Sequence, residues 1–255
     1  MTTAAFRRRA TRHRCTQAGL SMVEFAVMLV VAGLMTWAAF GGYETVAEQQ
    51  EIERGRAEAH QLQSVLRAFA LRNGRLPCPG ANADGYETLG AGGACAAGNQ
   101  VGWFPYVSVG LSLPTQKFLA RYSVYRGASA ADDLAVLAER TGDAVGTETF
   151  LNVTDLIVAL NAVPAAADAT RTYLTGDGST GNAMDCAANR VMSAAYWLVI
   201  PLQDKSGDGN RLDAPHTLAS TCAASPSAPL RFGSDDVVVA ESPAQLAGWL
   251  RRSMP

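Results

Sequence analysis

Apolar and polar positions follow one another along this chain in three distinct ways. Residues 25–43, FAVMLVVAGLMTWAAFGGY, carry no charge, and their apolar side chains fall on every face of a helix rather than on one. At 1.5 Å rise per residue, about 20 such residues match a bilayer core, so this run predicts a membrane-spanning helix. From Glu44 the pattern turns polar. The stretch EQQEIERGRAE holds Glu51/Arg54 and Glu53/Arg56 three residues apart, which suits a solvated helix or one in contact with other subunits. Ala59, Leu62, Val65, Leu66 and Phe69 then recur at three- and four-residue spacing, one packing face of the same helix. Asn73-Gly74 stops it, with Pro77 and Pro79 beyond. A helix over 20–72 would be about 80 Å long. A heptad coiled coil is the competing reading, but the polar stretch breaks its seam. Further on, strand patterns occupy 103–109, 119–125, 195–200 and 237–240. Short helices are predicted at 132–139, 154–163 and 242–252, the last with Ser242 as N-cap, Pro243 in its first turn and Trp249 on its apolar side. One long helix followed by scattered strands and short helices is an α+β order.

Composition narrows this picture. The chain has 255 residues, 48% hydrophobic and 17% charged, with a formal net charge of −2. That excludes a nucleic-acid binder driven by overall basicity and a disordered chain. A mean hydropathy of +0.04 is too low for a protein with many spans. The charge is unevenly placed. Five of the 21 basic residues (Arg7, Arg8, Arg9, Arg12 and Arg14) stand in residues 1–19 with no acid among them, leaving 16 basic against 23 acidic residues, a net of −7. Arginines before the apolar run and Glu44, Glu48 and Glu51 after it orient the N-terminus to the cytoplasm and the body outside. The run is too long for a secretory signal core, and no small-x-small cleavage site follows it. Beyond Cys15, the body holds Cys78, Cys95, Cys186 and Cys222. An even set behind a targeting segment indicates an oxidising compartment and two bridges, with three pairings open. Glu24 sits just inside the apolar segment, where a carboxylate is costly unless paired and reads as functional.

Gly19-Leu20-Ser21-Met22-Val23-Glu24, followed by an apolar helix, resembles the type IV prepilin cleavage and methylation motif. The resemblance implies cutting by prepilin peptidase after Gly19 and N-methylation of Leu20, where the family more often has phenylalanine. It also implies a filament-assembly role for Glu24, whose buried carboxylate would pair with the α-amino group of a neighbouring subunit and select one axial register. Gly41-Gly42 stands where the family usually has proline, and weakens the helix by roughly 2 kcal/mol against alanine. A second block, AFALRNGRLPCPGANADGYE with Cys95 and GWFPYVSVGL, is similar to a subgroup of large prepilin-type proteins. AAYWLVIPLQDKSGDGN and DDVVVAESPAQLAGWL resemble its later blocks, whereas 126–150 has no counterpart.

The resemblance implies a pilin-like fold. A long N-terminal helix would pack on a small antiparallel sheet body with short extra helices. Residues 1–19 would be the leader, 20–43 the membrane and filament-core helix, 44–73 the stalk and 74–255 the periplasmic body. It implies a minor pilin or a type II secretion pseudopilin in the bacterial inner membrane, single-pass. The partners implied are other pilin-like subunits, prepilin peptidase and an inner-membrane assembly platform, without nucleic acid and without catalysis. Cys78–Cys95 and Cys186–Cys222, the nearest pairs in sequence, are the expected bridges. The first would close a Gly-rich loop of 18 residues, worth about 3 kcal/mol in the loop-entropy picture, with Pro77 and Pro79 holding an extended backbone around Cys78. The alternatives are a tight-adherence pilus-like protein and a membrane-anchored periplasmic enzyme or binding protein.

One stretch carries candidate metal chemistry. Asp204, Ser206, Asp208, Asn210 and Asp213 place oxygen donors at alternate positions with a glycine at the sixth, as a calcium loop does. Pro215 stands where an EF-hand has glutamate, and an ordinary Asp/Gly/Asn turn has the same composition. The run from Asp177 to Asn182 is a weaker case of the same kind. Phosphate-loop, nucleotide and zinc motifs are missing from the sequence; His60 falls in the stalk and His216 in a turn-rich loop, and nothing in the sequence supports a hydrolase triad.

Overall fold

A computed structural model of the chain describes residues 21–143, 145–146, 148–176, 184–217, 219–227 and 233–254, with backbone alone at 39, 41, 42, 44, 45 and 92. The leader, Gly19, Leu20, Cys15 and the 177–182 run lie outside the described residues. The chain is α+β. Its elements in order are α1 (Met22–Asn73), β1 (Val101–Trp103), β2 (Arg121–Val124), α2 (Val153–Ala162), β3 (Tyr173–Thr175), β4 (Arg190–Ser193), β5 (Tyr196–Ile200), β6 (Cys222–Ala224), β7 (Val237–Glu241) and α3 (Pro243–Ser253). Contacts divide it into two units, Met1–Glu48 and Gln49–Pro255. Residues 49–73, expected as a stalk, therefore group with the globular unit.

That unit holds two sheets. One has the order β1-β2-β5-β7 and is antiparallel throughout. The other is β4-β3-β6, with β3 antiparallel to β4 and parallel to β6. β5 shows how they stack. Side chains alternate across a strand, so a strand buried on both faces reads as continuously apolar. Tyr196, Leu198 and Ile200 pack into the main core with Ala59, Leu62, Leu66 and Phe69 of α1, Leu156 and Leu160 of α2, and Leu246 and Leu250 of α3. Trp197 and Val199 point the other way, into a smaller core with Leu174 of β3 and Ala223 of β6. The antiparallel sheet thus lies between a helical layer and the three-stranded sheet.

Local chemistry sets the helix ends and the close packing. Gly74 adopts φ 62° and its N–H reaches the Ala70 carbonyl at 3.0 Å, a left-handed stop for α1. Gly55 lets α1 approach closely: a Cβ there would stand 2.7 Å from Leu202 Cδ2. Asn152 caps α2 by accepting from Thr154 N at 2.7 Å, while Asp155 accepts from Asn152 N at 3.0 Å. Ser242 and Gln245 form a reciprocal capping box on α3, with Pro243 in its first turn.

Two expected elements are corrected. The strand predicted over 103–109 ends at Trp103. Pro105 has no N–H to give a ladder, and the chain coils instead, with Val109 N on Pro105 O at 3.1 Å and Gly110 N on Val107 O at 3.0 Å. The helix predicted over 132–139 does not form. Leu134 uses its backbone outside the segment, donating to Tyr125 O at 3.2 Å and accepting from Leu76 N at 2.8 Å, and Asp133 is held by Arg126 Nε at 2.8 Å. The expected strands at 119–125, 195–200 and 237–240 appear as β2, β5 and β7, and the helices at 154–163 and 242–252 as α2 and α3.

Candidate functional site

The unit Met1–Glu48 contributes the first part of α1. The helix starts at a capping box: Ser21 N donates to Glu24 Oε2 at 2.8 Å, and Glu24 N donates to Ser21 Oγ at 3.3 Å. Ser-x-x-Glu before an apolar run is the sequence signature of that box. Sequence reasoning passed over it and took Glu24 only as an assembly residue. The carboxylate is exposed, so a cation can reach it from outside the chain. Behind it, Met28, Leu29, Val30 and Val31 follow consecutively and so point to all sides of the helix, yet they are 58%, 59%, 62% and 44% exposed. Leu34, Met35, Trp37 and Phe40 continue the pattern. The helix runs on through Gly41-Gly42. Among the described residues no helix is long and apolar enough to cross a membrane. The stretch with described side chains, 22–38, is shorter than the ~20 residues a bilayer core takes, and part of the expected span at 39, 41 and 42 lies outside it.

In the globular unit the four body cysteines form the two expected bridges, Cys78–Cys95 and Cys186–Cys222, with Cα–Cα separations of 5.5 and 6.0 Å. The first closes the loop behind α1, where Glu87 binds Arg75 Nη1 at 2.7 Å and Cys78 N at 2.6 Å. The second joins β6 to the turn before β4, and Tyr173 of β3 donates its hydroxyl to Cys186 O at 2.7 Å.

The residues of the expected calcium loop separate into two groups. Asp204 accepts from Gly207 N at 2.6 Å, Gly209 N at 2.8 Å and Ser206 Oγ at 3.2 Å. Asp208 accepts from Asn210 N at 2.8 Å, and Asn210 Oδ1 from Leu212 N at 3.4 Å. These oxygens are engaged by the turn's own backbone. Asp213 instead turns inward. It is fully buried and joins Asp235 and Asp236, from the residues just before β7, so that one carboxylate oxygen of each lies within 4.8 Å of the others. Asp235 and Asp236 were not anticipated. They stand more than 20 residues from Asp213 in sequence, and an adjacent acid pair ahead of a strand is a weak signal. Burial raises the pKa of both, opposed at Asp236 by the His216 hydrogen bond.

His216 is buried, with Nδ1 2.8 Å from Asp236 Oδ2 and Nε2 accepting from Ala224 N at 3.2 Å. Nε2 as acceptor places the ring proton on Nδ1, donating to Asp236. Both nitrogens are therefore engaged inside the fold, with neither left for a nucleophile. His60 lies on α1, 3.3 Å from Gln63 Oε1. A cleft lined by Arg67, Glu241, Trp249 and Arg252 runs beside α3. Two of its charged groups hold each other: Arg67 donates to Glu241, Tyr196 donates to the other Glu241 oxygen, and the Arg67 guanidinium lies 5.3 Å from the Trp249 ring centroid. Burial, together with the Glu241 charge, raises the Tyr196 pKa well above its ordinary value. Comparison with protein-family models, with curated proteins and with solved structures finds no match.

Proposed function

We propose that this chain is a structural subunit of a type IV pilus-like or type II secretion pseudopilus filament. It is inner-membrane anchored, trimmed by prepilin peptidase after Gly19 and methylated on Leu20. Its fold is read as pilin-like and its role as non-catalytic. The observation that carries this reading is the apolar helix behind Glu24, exposed on every side. Water is a poor environment for such a surface, at roughly 25 cal/mol per Å². Two environments cover a helix all round: lipid before assembly, and neighbouring helices after it. An anchor alone needs only the first, and there Glu24 would do no more than cap the helix start. A filament needs both, and there Glu24 meets the new α-amino group of the next subunit. The arginine-rich leader keeps the N-terminus cytoplasmic, and the disulfide-bonded globular unit suits the oxidising periplasm. Other pilin-like subunits and an inner-membrane assembly platform are the partners this requires.

The capping box supplies the control for a test. Crosslinking of the membrane protein to its filament partners is compared among wild type, Glu24→Ala and Ser21→Ala. Truncating one member of a buried ion pair costs about 3–5 kcal/mol, so Glu24→Ala lowers incorporation by roughly two to four orders of magnitude. Ser21→Ala loses only a cap worth about 1 kcal/mol and keeps the carboxylate, so it still crosslinks. Wild-type crosslinking by Glu24→Ala, or equal loss in both variants, rejects the assembly role.

A further inference from the structure

The buried acid cluster holds two atoms for which the described residues supply no donor. Asp213 Oδ2 and Asp236 Oδ1 are inaccessible to solvent and accept no hydrogen bond. The N–H groups that reach the cluster are already placed on other oxygens. Ser206 N donates to Asp213 Oδ1 at 3.0 Å, and Gln203 N to Asp235 Oδ1 at 3.2 Å. Asp213 N and His216 Nδ1 share Asp236 Oδ2, at 3.0 and 2.8 Å. Three carboxylates this close repel one another strongly where water cannot screen them, and removing them from water costs further. Orphaned oxygens on fully buried acids point to a ligand that is all positive charge and brings no acceptor of its own.

We propose that Asp213, Asp235 and Asp236 hold a hard divalent cation. The donor set selects the class. Its ligands are carboxylate oxygens, which suit calcium or magnesium, while both His216 nitrogens are engaged and offer zinc no imidazole. His216 instead orients Asp236 from behind, the usual task of a group that supports a metal ligand. Charge agrees: three carboxylates and one divalent cation leave a single negative charge, and Lys205 Nζ stands 3.9 Å from Asp235 Oδ2 to meet it. Asp213 follows the turn after β5, and Asp235 and Asp236 lead into β7. The cation ties that connection to the start of the neighbouring strand of the antiparallel sheet. This site is separate from the Asp204–Asn210 turn, where Asp204, Asp208 and Asn210 accept from the turn's own N–H groups, and it does not depend on the filament reading.

The full chain is purified in detergent, stripped with a chelator and offered Ca²⁺, Mg²⁺ or Zn²⁺ at up to about 1 mM. Bound metal is counted by mass spectrometry, and unfolding is followed thermally. The expected result is one Ca²⁺ or Mg²⁺ per chain and a melting temperature that rises with that ion. Asp235→Asn weakens binding at least about tenfold, because ligand charge sets affinity. In chelator, the same variant melts above wild type, since one of three repelling charges is gone. Asp204→Asn binds as wild type does. No Ca²⁺ or Mg²⁺ bound to wild type, or Zn²⁺ alone bound, overturns the proposal. So does a site lost in Asp204→Asn and kept in Asp235→Asn. The wild-type measurement stands whether or not the variants fold.

Discussion

The two parts of α1 treat the same side chains in opposite ways. Leu34 is 60% exposed and Leu66 is fully buried, although both are leucines on one uninterrupted helix. Up to Glu48 the apolar residues fall on every face, and the described ones are largely exposed. From Gln49 they narrow to a single stripe, Ala59, Leu62, Leu66 and Phe69, and the globular unit covers it completely. The carboxylates repeat the contrast. Glu24 is exposed and, among the described residues, is bound by its own helix start, whereas Glu241 is buried and holds both Arg67 and Tyr196. A stripe is the mark of a helix that finds its partner within its own chain. All-round apolarity is the mark of one whose partner lies outside it.

Matched substitutions test that contrast, beginning with the largest expected effect on the globular unit. Leu66→Ala removes a fully buried side chain and lowers unfolding stability by about 3–5 kcal/mol, read by urea titration of the full chain in detergent with Trp197 fluorescence. Leu34→Ala, the same deletion made in the exposed part, changes that titration by less than about 0.5 kcal/mol and acts on crosslinking to partners instead. A large loss of stability from Leu34→Ala would erase the distinction between the two parts. Next comes Glu241→Ala, expected to cost about 3 kcal/mol. This is the low end for a broken buried pair, because Arg67, 29% exposed at its side chain, can recover water. Glu24→Ala leaves the same titration unchanged.

Of the two bridges, Cys186–Cys222 spans 36 residues and Cys78–Cys95 spans 17. Replacing the longer-range pair by serines costs about 4 kcal/mol in the loop-entropy picture and the shorter about 3. The difference between the two is under about 1 kcal/mol. A reversed order would mean that the unfolded chain keeps structure near Cys186.

Much of this fold was legible because the signals were local. Ser242 announced α3 through its cap, Asn73-Gly74 announced the end of α1, and apolarity announced β5. What was missed depended on distant partners. The segment 132–139 has helical composition, but Tyr125, Leu76 and Arg126 take its backbone and its acid elsewhere. β3, β4 and β6 are only three or four residues long. Arg190 and Val191 of β4 are exposed and Cys-Ala-Ala of β6 lacks alternation, so no period-two pattern could mark them. In the candidate sites, the Ser21–Glu24 box was open to reading and was passed over in favour of the assembly role. The Asp213–Asp235–Asp236 cluster is assembled by sheet topology, and neither its spacing nor its composition sets it apart from a turn and a strand entrance.

The central claim is that the exposed part of α1 is the retained segment of a processed prepilin. Intact-mass measurement of the full chain, co-expressed with a prepilin peptidase, tests it most directly. The expected species lacks residues 1–19 and carries one added methyl group on Leu20, and Gly19→Val, which fills the small site, stays full length. A wild-type chain that keeps its leader in the presence of active peptidase, or a Gly19→Val chain trimmed normally, would contradict the account.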